Sequence, residues 1–213
     1  MYSQVVHIAW YVFVVAISAV FAELARGYTA YKEGDNTPKN VGRLNFNFLK
    51  HIDIVGSILL PLTLLVAKSG FAIGWAKHIP YNDHNFTDKK KSLFKIAVAG
   101  VLVHICLGVL ATIFLRIIVS GGVYTGNLVE ALTSVAIANY LLAFFNLLPI
   151  PPLDGEKIFF AWIPSNYGHA RKVLEYYSVP LIVIAIVLLW PYMFSSIDFL
   201  FKLITGVNLT PIS

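Results

Sequence analysis

Asn146-Leu147-Leu148-Pro149-Ile150-Pro151-Pro152-Leu153-Asp154-Gly155 closes the apolar run 128–150 with prolines and ends on a carboxylate. The run is long enough to cross a bilayer, which takes roughly 20 apolar residues. Proline has no N–H and its ring collides with the preceding turn, so a helix arriving at Asn146 cannot run on through this stretch. Asp154 is therefore left just beyond a broken helix, at membrane depth or close to it. An ionisable group is expensive there and is a functional-site candidate by default.

The rest of the composition agrees with a membrane setting. Of 213 residues, 58% are hydrophobic and 13% charged, with a mean hydropathy of +0.74. Soluble domains average about 45–50% apolar and about 25% charged residues. The expected fold is an all-α, polytopic membrane protein with about four full transmembrane helices plus a re-entrant or fifth hydrophobic segment. Residues 1–213 are expected to form a single membrane domain with no sizeable soluble part. Its net charge of +5 calls for no nucleic-acid partner, because cytoplasmic loops of membrane proteins collect Lys and Arg. The lipid bilayer is the expected surrounding partner. A single cysteine, Cys106, excludes an internal disulfide. The first apolar run has no basic n-region and reaches Glu23 rather than a small-residue cleavage site, so it reads as a retained span.

Apolar spans are expected over about 5–25, 93–119, 128–150 and 173–194, with an amphipathic tail over 197–207 lying in the interface. Segment 54–76 is also apolar but is interrupted by Gly56, Pro61, Lys68, Gly70 and Gly74. Five basic residues precede it from Arg26 on, and five follow it up to Lys95. The positive-inside rule cannot satisfy both flanks with one crossing. A re-entrant hairpin resolves this, and an ordinary kinked transmembrane helix is the alternative. With the hairpin, the N-terminus and loop 120–127 lie outside, and loops 26–53, 77–95 and 154–172 lie inside. The expected location is a bacterial cytoplasmic membrane.

The first span ends Phe21-Ala22-Glu23-Leu24-Ala25-Arg26. In an H-E-x-x-H helix, residues i and i+4 share a face, so two imidazoles converge on one zinc while the Glu activates its water. Glu23 stands at the base position, and Ala22 and Arg26 stand at the two histidine positions. Further along come Tyr28–Asp35, Gly42–Asp53, Gly74-Trp75-Ala76-Lys77, Asn85-Phe86, Ala99-Gly100 and the Asp154 stretch. In this order, over roughly 10–160, they resemble the compact members of the site-2 protease family, the intramembrane zinc metalloproteases.

The resemblance implies a zinc held by the two helix histidines and the motif aspartate, and cleavage of membrane-protein substrate helices inside the bilayer. Asp154 matches the metal ligand and Glu23 the catalytic base. Asn146, Pro149 and Pro151 match positions that shape the family's substrate groove, where an unwound substrate pairs with extended backbone. Alanine, however, has no ligand atom, and arginine has donors but no acceptor. Other departures accumulate: Val101 and His104 replace the proline and asparagine of the family's A-G-P-x-x-N pattern, and Phe48, Ile54 and His78 stand where prolines are expected. The chain is therefore expected to be inactive or impaired as a hydrolase and not to bind zinc. The alternative is a non-catalytic pseudoprotease that grips client transmembrane helices. A solute or ion channel rests only on the intramembrane acids. Natural divergence and deliberate replacement both remain open as the origin of Ala22 and Arg26.

No other histidine completes a zinc site. His7 lies about 22 Å along the helix from position 22. His51, His78, His84 and His169 fall in loops and are expected to be solvated. His104 is the one possible auxiliary ligand, against the plainer reading of a helix–helix hydrogen bond. Arg26 has two readings as well: it pairs with Asp154 in place of the metal's charge, or it snorkels into the headgroups. The run Phe159–Ile163 is expected to lie flat on the membrane.

Overall fold

The computed structural model describes residues 2–59, 62–63, 74–123, 126–163 and 168–206. The described residues are helical or irregular, with no strand. Helix α1 spans Tyr2–Lys32, α2 Thr37–Asn40, α3 Lys89–Ser120, α4 Asn127–Asn146, α5 Asp154–Trp162, α6 Gly168–Tyr176 and α7 Ser178–Thr205. Three helical stretches are long and apolar enough to cross a membrane: Ala9–Lys32, Lys89–Ser120 and Asn127–Asn146. The halves of α7, Ser178–Leu189 and Pro191–Thr205, make a fourth if taken together; they meet at 56°. The bend falls at Pro191, which lacks the N–H an unbroken helix needs.

Helix α3 is the axis of the bundle, packed against α1, α4, α5 and α7. Its start is fixed by Asp88, whose side chain accepts the Lys91 N–H at 3.1 Å. The ends of the helices establish relative sides. His7 at the start of α1 lies 3.5 Å from Glu130 at the start of α4, and Arg116, near the end of α3, donates to Ile204 O at 2.5 Å. At the other end, Glu33 just past α1 accepts from Ser92 (2.9 Å) and Lys95 (2.8 Å) in the first turns of α3. The N-terminus, the α3–α4 turn and the end of α7 thus share one side, and the end of α1, the start of α3 and the chain at Ile163, whose carbonyl accepts from Lys90 Nζ at 2.8 Å, share the other.

Several boundaries differ from expectation: the span expected over 128–150 ends at Asn146, and the one expected over 173–194 is α7, Ser178–Thr205, with the separate α6 before it. Helix α1 runs on to Lys32 because its polar last turns are tied to α3 rather than released as loop. The stretch 197–207 is expected in the interface; of its described residues, Ile197 and Phe201, with Met193, are instead buried against Ala111 and Leu115 of α3 and Ala136, Tyr140 and Leu141 of α4. The bend at Pro191 is what turns this half back onto the bundle.

Residues 60–61 and 64–73 of segment 54–76 lie outside the described residues, but its ends do not. Trp75 N–H donates to Gly56 O at 3.2 Å and Ser57 Oγ to Trp75 O at 2.8 Å. A single crossing would part such ends by about 30 Å, so their contact fits the hairpin. The flanking chain sits deep. Phe48 and Ala76 pack on Ala19, Val20 and Leu24 of α1, which lie about 12–20 Å along that helix from Lys32. Irregular backbone at such depth needs internal partners. Arg43 supplies several, donating to Lys50 O (2.5 Å), Lys77 O (3.3 Å) and His78 O (3.3 Å). Lys77 N–H donates to His51 O (2.8 Å), and Gly56 N–H to the Asp53 side chain (2.7 Å).

Candidate functional site

Ala22, Glu23 and Arg26 lie on successive turns of α1, where i, i+3 and i+4 positions face the same way. All three are buried, as is Asp154. Asp154 is the first residue of α5, where the helix N-terminus favours a negative charge. It reaches the bundle because Leu147–Leu153 fold into tight turns closed by Ile150 N–H to Leu148 O (2.8 Å) and Leu153 N–H to Ile150 O (2.9 Å). Gly155 lets α5 sit directly on this turn: a Cβ there would come within 2.2 Å of Leu147 O and 2.3 Å of Leu148 O.

Arg26 lies between the two acids. Its Nε and Nη2 donate to Asp154 Oδ2 at 2.9 and 2.5 Å, and its Nη1 donates to Glu23 Oε1 at 2.8 Å. The pairing with Asp154 expected from charge balance is present. At 8% exposure Arg26 does not snorkel to the headgroups. Helix α3 passes the guanidinium at Gly100, where a Cβ would stand 2.3 Å from Arg26 Nε. Glu23 is held further by the Ile79 N–H at Oε2 (3.0 Å) and by His78 Nδ1 at Oε1 (2.7 Å). Lys157, one turn along α5, approaches Asp154 Oδ1 at 3.6 Å.

Several residues differ from their expected settings. His78, expected to be solvated, keeps an exposed ring but touches Glu23. His51 is fully buried, with Nε2 3.0 Å from Asn45 O, because its loop is packed against α1. His84 is exposed as expected, and the side chain of His169 lies outside the described residues. His104 Nδ1 meets Asn139 Oδ1 at 3.2 Å, a bond between α3 and α4. Asn146 turns back on its own helix, donating Nδ2 to Leu142 O at 2.9 Å. Pro149 is exposed and Pro151 buried. The region they frame is turned on itself by the Ile150 N–H to Leu148 O and Leu153 N–H to Ile150 O bonds.

The donor set does not fit a zinc ion. Where H-e-x-x-h spacing would place two imidazoles, the chain presents a methyl group and a cation, and the cation's N–H groups are already directed at the remaining acids. Among the described residues, no three His, Cys, Asp or Glu side chains converge. Glu23 accepts from three partners, so its acceptor positions are largely spoken for.

A helical membrane bundle with a buried Glu on its first span and an Asp after a proline-broken later span agrees with the resemblance to the intramembrane metalloproteases. A family model described as peptidase family M50 matches residues 114–190, a stretch that contains the Asp154 turn but not α1. A protein of Bacillus subtilis (strain 168) described as "Putative zinc metalloprotease YwhC" is 30% identical over 202 residues, covering 90% of this chain and 89% of that one. No solved structure matches the chain. The chain belongs to peptidase family M50, the site-2 protease family.

Proposed function

We propose that this chain is a member of the family that does not cleave, or cleaves only feebly, and that acts by holding transmembrane helices of client proteins. The observation that carries this is the Arg26 guanidinium, bonded to both Glu23 and Asp154 beside Ala22. A base without a metal-bound water has little to act on, and this base is tied to a permanent cation. A client helix would meet the exposed Leu147 and Pro149 at the edge of the Asp154 turn and dock by side-chain packing rather than strand addition. The bilayer is the medium for this encounter, and nucleic acid has no part in it. A bacterial cytoplasmic membrane with the N-terminus outside suits the charges: loops 26–53, 77–95 and 154–172 carry Lys and Arg, whereas loop 120–127 carries none.

Metal analysis of the purified protein tests the reading. The expected result is zinc far below one ion per chain, with no cleavage of a transmembrane model substrate. The paired change Ala22→His with Arg26→His is expected to restore zinc binding, since it returns two nitrogen ligands beside Asp154. Stoichiometric zinc in the unaltered protein, lost in Asp154→Asn, would overturn the proposal.

A further inference from the structure

Two carboxylates without a metal in a poorly hydrated bundle pose an electrostatic problem that the chain has to solve in some way. Unpaired buried charges cost several kcal/mol each and tend to be neutralised or bridged. Glu23 and Asp154 are both buried, they lie far apart in the sequence, and one guanidinium bonds both. Three positions cooperate to admit it. Ala22, one turn before Arg26, is fully buried and brings only a methyl group. Gly100 gives α3 no side chain at the point of closest approach, where any Cβ would overlap Nε, Cζ and Nη2 at 2.3–2.7 Å. Asp154, at the N-terminus of α5, turns its Oδ2 to the fork.

We infer that the Arg26 guanidinium is a built-in structural cation: it joins α1 to the Asp154 end of α5 across Gly100 of α3 and takes over the charge role of the metal that the family's histidine pair implies. The arrangement needs a planar, multiply donating cation. A lysine ammonium is a point charge on a flexible stem and cannot reproduce the fork. The inference rests on the metal-free reading above but asks a separate question, namely what holds the site together.

Thermal unfolding in detergent tests it. The unaltered protein is expected to keep its melting temperature in excess 1,10-phenanthroline. Arg26→Met is expected to lower it by roughly 10 °C, with Arg26→Lys in between. The triple change Glu23→Gln, Arg26→Met, Asp154→Asn removes the acids together with the cation, and is expected to recover at least half of the loss. If Arg26→Met does not accumulate as folded protein, the triple variant is still expected to do so. An Arg26→Met protein as stable as its parent overturns the inference and leaves the metal-free reading intact. A triple variant no better than Arg26→Met overturns it too, because the defect would then be one of packing. Loss of stability in the unaltered protein on chelation overturns both.

Discussion

Two glycines set how closely the site can close. At Gly100 an added methyl meets a side chain, the Arg26 guanidinium; at Gly155 it meets backbone, the carbonyls of Leu147 and Leu148. A side chain can retreat at the cost of its hydrogen bonds, whereas a carbonyl locked in a closed turn cannot. Gly100→Ala is therefore expected to cost about 1–3 kcal/mol and Gly155→Ala more, both read as falls in melting temperature. A Gly155→Ala protein as stable as its parent would mean that α5 is not seated on the Asp154 turn. At this scale the sequence is informative where chemistry is local. Glu23, Arg26 and Asp154 are recognisable because one helical turn and one proline-rich turn place them, and the balance of charge predicts their pairing. His78 is not recognisable in the same way. Its contact with Glu23 spans 55 residues, and a loop histidine carries no periodic mark. Its only signal was that it replaces an expected proline.

Helix α3 shows how whole elements are joined. Gly100, His104, Gly108, Thr112 and Arg116 recur every fourth residue and form one stripe. Gly100 admits Arg26, His104 bonds Asn139, Gly108 lies under the Tyr140 ring, Thr112 meets Tyr140 OH at 3.0 Å, and Arg116 caps α7. Small and polar residues are what helices use to associate where lipid offers no hydrophobic contrast. A double-mutant cycle on Thr112→Val and Tyr140→Phe is expected to give a coupling of about 0.6 kcal/mol; zero coupling would make the pair incidental. The stripe is hard to see in sequence because apolar residues cover every face of α3, so amphipathicity does not point to it. The loops on the Lys89 side are joined differently. Asp35 is fully buried and accepts from Thr37 Oγ1 (2.6 Å), Thr37 N–H (3.1 Å), Asn82 N–H (2.7 Å) and Asn85 Nδ2 (2.7 Å). Burial pushes its carboxyl up, but these donors outweigh that and hold it below the usual aspartate range. A lowered folded-state pKa means stabilisation that is complete above the ordinary aspartate value, about 4, and is lost as pH falls through the lower folded value. The protection factor of the Asn82 amide, its exchange rate divided into the intrinsic rate at the same pH, is accordingly expected to fall on acidification in the parent, and to be low at every pH in Asp35→Ala.

For the whole molecule, the decisive property is which loops share a side. Hydropathy alone finds the spans, but the count of crossings depends on segment 54–76, and only charge on both flanks argues that it turns back. The contact between Gly56 and Trp75 agrees with that argument, and the end-to-end pairs of α1, α3, α4 and α7 make the sides consistent. Single cysteines in a protein whose exposed Cys106 is first changed to alanine can read this out. His84 is strongly exposed near the start of α3, and Leu128 is exposed at the start of α4; Tyr176 is strongly exposed just before α7, whose far end meets Arg116, so a single crossing by α7 puts it with His84. A membrane-impermeant maleimide is expected to label Leu128→Cys in intact cells, and to reach His84→Cys and Tyr176→Cys only after permeabilisation. The reverse pattern would invert the orientation but keep the fold. Labelling of positions 84 and 176 from opposite sides would break the fold itself, because α4 and the hairpin would then have to cross a different number of times, and Asp154 could no longer meet an arginine on the first helix.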